Sequence, residues 1–457
     1  MFRTRVLVIV LLAFCLPGLP AGSTSRGFAA PATIELVARS APDAVVRVEA
    51  VFEVAGELKF RHEQKLKTMP TSVAARLAYD ERRLAESPVA RTLRYYRTAE
   101  AELHVEKTST SSKLRDDRRL VVAEQTDAQP LLFSPSGCLT SDEAELIQIP
   151  ANSLLVDRLL PGKSVPVGEQ WQHEADLIGA LLNVDAVSHA DVSSTLAEAD
   201  AAGARVEMRG VVQGAVGGVA AEFDLVGRYR YDAAQGRITW LAWVLKEKRS
   251  IGHVEPGFEI TSRLQMRLLP VAAPKELDPA EWPAESLVAI PELLRLEFAS
   301  RPGRYRFEHD RRWHVMADRS DVISLRRVDR GELLAQCNIT TVPQVDDSRR
   351  PTLTQFQDDI RRSLKDQFGQ FVRVGESENS LGHTIFRAEA IGTVDELEIV
   401  WTYYLVQDPL GRQVVFAFTC EKPLFERFGE ADRELVDTVR FLDEQSAAEP
   451  TLAPQLR

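Results

Sequence analysis

The chain has 457 residues, 44% of them hydrophobic and 27% charged, with a formal net charge of −11. This is a globular composition, and the length suits two or three ordinary cores better than one. The acidic balance supplies no overall positive field for phosphate backbones, which argues against nucleic acid as a partner.

Residues 1–29 read as a secretion signal, with Arg3 and Arg5, an apolar run from Val6 to Leu16, and a break at Pro17-Gly18 before small residues. About eleven apolar residues rise only ~16 Å as a helix, against a hydrocarbon core of ~30 Å, so a spanning anchor is disfavoured. Cleavage fits after Ala21 or after Ala29. Leu12-Ala13-Phe14-Cys15 has the form of a lipobox, although Phe14 stands where a small residue is usual, so lipid anchoring through Cys15 is the minor alternative. The expected product is exported, periplasmic or secreted, with no further membrane segment.

From Ala44 the text alternates, with Val46, Val48, Ala50, Phe52 and Val54 on one parity, as in a half-buried strand. Ala55-Gly56 offers a turn, with Leu58, Phe60 and His62 on the second arm of a hairpin. Between Ser72 and Arg97, Val73, Leu77 and Leu84 suggest a charge-rich helix, and β character returns from Ala99 to Glu124. A short helix with acidic residues in its first turn is expected around Asp142 to Ile147, ending by Pro150.

The stretch from Leu159 to Trp171 is a turn-rich entry into a run of strands. Phe223, Leu225, Gly227, Tyr229 and Tyr231 alternate, Gln235-Gly236 turns, and Ile238, Trp240, Ala242 and Val244 return before a third pass with Ile260, Leu264, Met266 and Leu268. Strands in this order form an antiparallel meander. Tyr229, Tyr231, Trp240 and Trp243 are candidate ligand-facing aromatics. Trp240 and Trp243 have opposite parity, so an unbroken strand cannot bury both on one face.

Pro270, Pro274, Pro279, Pro283 and Pro291 mark residues 271–295 as an interdomain linker between a β-rich domain, 30–270, and a second module, 296–445. That module shows strands at Arg304–His309, Trp313–Ala317, Val322–Val328 and Leu333–Val342, then a helix carrying Leu353, Phe356, Ile360, Leu364 and Phe368, capped by Thr352 with Gln355. Strands at Phe371–Glu376, Thr384–Ala390, Glu396–Val406 and Gln413–Cys420 follow, and a closing helix from Pro423 buries Phe425, Phe428, Leu435 and Val439. Residues 446–457 have no pattern and read as a disordered tail.

No motif carries an evident chemistry. Gly162-Lys163-Ser164 ends like a phosphate loop, but Asp157 occupies the position of its first glycine. Gly214, Gly217 and Gly218 sit between strands and suit a turn or bulge. The eight histidines include no His-Glu-x-x-His and no pair at helical spacing, so no metal ligand set, cofactor or catalytic residue is assigned. Ser134-Pro135-Ser136-Gly137-Cys138 lacks a nucleophile elbow. Cys337 and Cys420 each share parity with apolar neighbours and are a candidate disulfide, with two buried free thiols as the competing state.

The second module resembles the Mog1/PsbP superfamily over about residues 300–445. The matching features are Arg304-Tyr305-Arg306-Phe307 with Trp313-His314-Val315, the strand Leu333 to Thr340, the helix Leu353 to Ile360, the paired strands Trp401 to Val406 and Val414 to Cys420, and the closing Val439-Arg440-Phe441-Leu442. The resemblance implies an α/β/α sandwich with an antiparallel sheet and an interaction or assembly role, and it carries over no catalytic residue. Through Leu159-Leu160-Pro161 and Val167-Gly168-Glu169-Gln170-Trp171 the first module is similar to uncharacterised exported bacterial proteins.

The expected fold class is therefore α+β, an N-terminal β-rich antiparallel meander domain followed by a Mog1/PsbP-like sandwich. The expected function is non-catalytic binding or assembly, with an unidentified protein or an apolar ligand of the cell envelope as partner. Two alternatives stand beside it: a periplasmic carrier or chaperone for an apolar ligand such as a lipid, and a hydrolase whose site is assembled from distant residues.

Overall fold

The computed structural model describes residues 32–39, 44–62, 65–84, 90–126, 129–278, 280–283, 287–300, 302–319, 322–346 and 349–443. The secretion signal, both cleavage positions, Cys15 and the expected tail lie outside the described residues.

The first module contains β1 (Thr33–Leu36), β2 (Val45–His62), β3 (Lys65–Leu84), β4 (Arg91–Val105), β5 (Thr108–Lys113), β6 (Leu120–Glu124), β7 (Leu131–Phe133) and β8 (Leu139–Thr140). Helices α1 (Ser141–Ile147) and α2 (Ser153–Val156) follow, then β9 (Lys163–Pro166), β10 (Gln170–Gln172) and helix α3 (Ala175–Leu182). The long strands β11 (Ala186–Ala199), β12 (Gly203–Val216), β13 (Val219–Asp232), β14 (Arg237–Arg249) and β15 (Gly257–Val271) complete it. One antiparallel sheet runs β10-β11-β12-β13-β14-β15-β2-β3-β4-β6-β7, with β5 paired to β4. The expected meander is β13 to β15 of this sheet.

Its inner face is a continuous apolar surface. Val48, Ala50, Leu77, Tyr79, Val206, Met208, Phe223, Leu225, Leu241, Leu264 and Met266 alternate inward from their strands and are buried. Helices α1 to α3 press Leu146, Ile147, Leu155, Leu177, Ile178 and Leu181 into the same core. Burial of each such side chain contributes about 1.5–3 kcal/mol, so this layer of helix against sheet dominates the module's stability. Thr140 and Glu143 form a capping box that starts α1.

Two expectations fail in this region. The segment expected as a helix between Ser72 and Arg97 falls in β3 and β4: Ala75, Leu77, Tyr79 and Glu81 point inward in alternation, and pairing on both sides overrides the helix propensity of its alanines. Gly56 makes no turn, because β2 continues through it. A Cβ there would lie 2.2 Å from the Glu259 carbonyl oxygen, so glycine serves the close approach of β15.

The second module contains α4 (Pro291–Leu294), β16 (Leu296–Ser300), β17 (Tyr305–His309), β18 (Trp313–Asp318), β19 (Ile323–Asp329), β20 (Glu332–Val342), α5 (Leu353–Leu364), β21 (Phe368–Glu378), β22 (Thr384–Val394), β23 (Leu397–Gln407), β24 (Gln413–Glu421), α6 (Phe425–Phe428), α7 (Ala431–Val436) and β25 (Arg440–Phe441). An antiparallel sheet ordered β18-β19-β20-β24-β23-β22-β21 is covered on one face by α5, through Phe356, Ile360 and Leu364. On the other face, Tyr305 and Phe307 with Phe428, Leu435, Val436 and Val439 cover Trp313, Leu325, Phe416 and Phe418. The expected cap of α5 by Thr352 and Gln355 is present. The closing helix is two short pieces, because Gly429 at φ +62° breaks it. The fold class is α+β, as expected.

Two leucines of the segment 271–295, read as a linker, are packed. Leu277 and Leu287 are buried against Val45, Leu93, Leu120, Val122 and Phe133 on the outer face of β2, β4, β6 and β7. The modules are also joined directly. β8 pairs in parallel with β16, and Arg115 bridges Glu143 and Glu297, each at 2.8 Å.

Candidate binding surface

The run from Trp240 to Leu245 is apolar without a break, so β14 is apolar on both faces there, and a register shift decides which parity points inward. Arg230 stands opposite Trp240 but Tyr231 opposite Ile238, so Thr239 is an extra residue that changes the parity of the strand. Ile238 points inward before the bulge, and Leu241, Trp243 and Leu245 point inward after it. Trp240, Ala242 and Val244 therefore form a second stripe on the outer face. Gly227, opposite Trp243, leaves room for the inward indole, since a Cβ there would lie 3.0 Å from the Trp243 Cβ.

The outer stripe is framed by cations. One row across the sheet reads Arg205, Arg230, Trp240 and Arg267; the next reads Glu207, Arg228, Ala242 and Gln265; the third reads Arg209, Val226, Val244 and Arg263. The Arg228 and Arg230 guanidinium carbons lie 5.5 and 5.4 Å from the centre of the half-buried Trp240 ring, within cation–π range. Val226 is 64% exposed and Val244 38%. From strand spacing and rise, this area measures roughly 15 Å by 14 Å.

Arg209, Arg228, Arg230, Arg263 and Arg267 are all exposed. Among the described residues none of these five makes an ion pair, whereas Arg205 meets Glu198 at 2.6 Å. Glu207 is the one carboxylate within the three rows on β12 to β15, and Glu53 and Glu49, opposite Arg263 and Arg267 on β2, mark the boundary. On the β4, β6 and β7 side of the sheet, Leu277 and Leu287 cover Leu93, Leu120, Val122 and Phe133, whereas Val51 on the outer face of β2 is 46% exposed.

The remaining candidate aromatics belong to the core. Tyr229, Tyr231 and Trp243 are 1%, 3% and 3% exposed. The Tyr229 hydroxyl donates to the Leu159 carbonyl at 3.2 Å, and that of Tyr231 to the Val37 carbonyl at 3.0 Å. They belong to the same buried core as the side chains of α1 to α3, and only Trp240 of the four faces outward.

Cys337 and Cys420 are free and buried. Cys337 stands opposite Phe418 and Cys420 opposite Ala335, which makes the two cysteines diagonal neighbours. Diagonal Cα atoms lie about 7–8 Å apart, beyond disulfide reach. Burial pushes the Cys420 thiol up to about 12 and raises that of Cys337 as well.

Two polar clusters were not anticipated from the sequence. His173 Nε2 lies 2.7 Å from Ser194 Oγ, and the Tyr229 hydroxyl reaches the same oxygen at 3.2 Å. This is a serine–histidine contact, but Ser194 is 0% exposed and burial lowers His173 to about 4, so the serine is shut off from substrate. The second cluster joins Glu81 and Arg94 at 2.8 Å, with Thr92 and Ser153 also donating to Glu81 and Asn152 accepting from Arg94. Burial raises the Glu81 carboxyl, and the Arg94 charge with the hydrogen bonds from Ser153, Thr92 and Arg94 more than reverses this, leaving it below its ordinary value. The second cluster pins the start of α2 to the sheet.

A polar cavity of about 140 Å³ lies where β5 ends and β6 begins, lined by Tyr96, Arg97, Glu100, Lys113 and Arg119 among others. It is well below the volume of an ordinary small-molecule pocket. Arg97 there is committed to Asp80 at 2.6 Å and Arg119 to Asp116 at 2.6 Å. Gly217 and Gly218, at φ +58° and +74°, form the β12–β13 turn. No helix among the described residues is long and apolar enough to cross a membrane.

No family model matches the chain. No curated protein matches it either. Among solved structures, the cyanobacterial PsbP (CyanoP) of Synechocystis sp. PCC 6803 is 11% identical with a TM-score of 0.26, covering 34% of this chain and 95% of that one. A protein of Bacteroides thetaiotaomicron VPI-5482 is 12% identical with a TM-score of 0.23, covering 33% of this chain and 49% of that one. Lipovitellin, in a structure concerned with its lipid–protein interactions, is 7% identical with a TM-score of 0.31, covering 51% of this chain and 26% of that one.

Proposed function

We propose that the chain is an exported, non-catalytic binding protein, and that it takes an anionic partner on the outer face of β12 to β15. The observation that carries this reading is the uncovered apolar stripe of Trp240, Ala242 and Val244, flanked on both sides by exposed arginines without ion pairs. An antiparallel sheet with one solvated face ordinarily alternates apolar with polar residues, so a strand apolar on both faces lacks a layer on one of them. The whole molecule carries a net charge of −11, so general attraction to polyanions is opposed and the arginine face is favoured as the point of approach.

The enclosed Ser194–His173 contact supports the non-catalytic part of the reading. An apolar ligand carried on the inner face would have to displace α1 to α3, whose side chains fill it. Binding to dextran sulfate, followed by titration calorimetry at low salt, tests the proposal. The wild type binds with an affinity that falls steeply with salt, and Arg228→Glu with Arg230→Glu removes most of that affinity. Equal binding by wild type and the double variant would overturn it.

A further inference from the structure

Within that reading, and resting on it, the composition of the face narrows the class of partner. A soluble polyanion or an acidic protein surface is met by charge alone. The three rows instead place an apolar stripe at the centre and guanidinium groups at its edges. Trp240 and Val244 lie on β14, Val226 lies beside Val244 on β13, Arg228 and Arg230 flank them on one side, and Arg263 and Arg267 flank them on the other. We propose that this face docks on the surface of an anionic lipid bilayer, with Trp240 and the two valines in the headgroup region and the arginines on lipid phosphates.

Three physical points support the choice. A tryptophan with one wet edge favours the level of the headgroups, where its ring is apolar and its N–H can be hydrated. Each arginine near an anionic leaflet contributes about 1 kcal/mol, so five that make no ion pair among the described residues, three of them with a glutamate as cross-strand neighbour, supply an attraction that short apolar side chains do not supply alone. The face is also broad and built on paired strands, so it can lie flat on a lipid surface without ordering a loop.

Charge arrangement sets the orientation. The net charge of −11 makes approach of the rest of the molecule to an anionic surface unfavourable, while Glu49 and Glu53, opposite Arg267 and Arg263 on β2, bound the patch on that side and weaken its attraction there. The stripe with its neighbour Val226 offers one aromatic, two valines and an alanine, which suits reversible attachment to the surface and not insertion across it.

Flotation of the full chain with vesicles tests the inference, using equal parts phosphatidylglycerol and phosphatidylcholine, phosphatidylcholine alone, and dextran sulfate as a lipid-free polyanion. The expected result is binding to the anionic vesicles and not to the neutral ones, reduced by at least about tenfold in the Arg228→Glu, Arg230→Glu variant. Trp240→Ala should weaken vesicle binding by about tenfold while leaving dextran sulfate binding near wild type, because only the lipid surface uses the indole. All of these side chains face solvent, so matching thermal unfolding curves exclude misfolding as the cause. Binding to dextran sulfate, or capture of an acidic protein by this face, without binding to anionic vesicles would overturn the lipid inference and leave the anionic-partner reading standing. Binding to neither polyanion nor vesicles would overturn both.

Discussion

Arg94 on β4 donates to Glu81 on β3 at 2.8 Å, and the two residues are only 1% and 7% exposed. Asn152 and Ser153 at the start of α2 complete the cluster, so one buried ion pair ties the helical layer to the sheet. Arg94→Met leaves the Glu81 charge enclosed without its partner. The expected loss is about 3–5 kcal/mol, read as a lower urea midpoint, and replacing both residues by methionine should cost less than Arg94→Met alone.

Trp243 occupies space that exists because residue 227 has no side chain. Gly227→Ala places a Cβ 3.0 Å from the Trp243 Cβ and 3.3 Å from the Ala242 carbonyl. The strands must separate or the indole must shift, and a loss of about 1–3 kcal/mol is expected in thermal unfolding. A neutral outcome would show that the inner face is looser than its burial indicates.

His173 gives a pH dependence of definite sign. Burial lowers its pKa from 6.5 to about 4, so below its ordinary value the unfolded chain binds the proton more readily than the folded one. Stability is fully retained above about pH 6.5 and is lost as pH falls toward 4. His309, His314 and His383 are also lowered by burial and act in the same direction. His173→Gln, which keeps a nitrogen for Ser194, should reduce the slope by roughly 1.4 kcal/mol per pH unit in this window. An unchanged slope would contradict the buried neutral ring.

Cys337 and Cys420 should stay reduced after folding under oxidising conditions. Their diagonal placement on β20 and β24 keeps them apart, and burial disfavours both thiolates. Iodoacetamide followed by intact-mass analysis should label neither in native buffer and both in denaturant.

The parts of the fold legible in the sequence are those set by local chemistry. Thr352 and Gln355 announce α5 because a capping box needs only four residues, and Gln235-Gly236 and Gly217-Gly218 announce their turns because they supply the left-handed backbone. Strand β3 is not legible in this way. Its Leu77 and Leu84 recur at helical spacing, and its inward alternation includes Glu81, whose cost of burial is offset by an arginine on the next strand. The inward face of β14 is likewise hidden, because the bulge at Thr239 arises from pairing with β13. Parity shows that Trp240 and Trp243 face opposite ways but not which of them faces out, and the arginines beside Trp240 come together only through the register of four strands. The burial of Leu277 and Leu287 is not legible either, because the two are too far apart to show a period.

The outer face of β12 to β15 is tested most directly by oxidative footprinting of the full chain, free and bound to anionic vesicles, with residue-level mass spectrometry. Trp240, Val226 and Val244 should lose reactivity on binding, while the buried Trp243 and the exposed Val372 and Leu397 of the second module stay unchanged. Protection of the second module with no change at Trp240 would contradict the assignment of this surface.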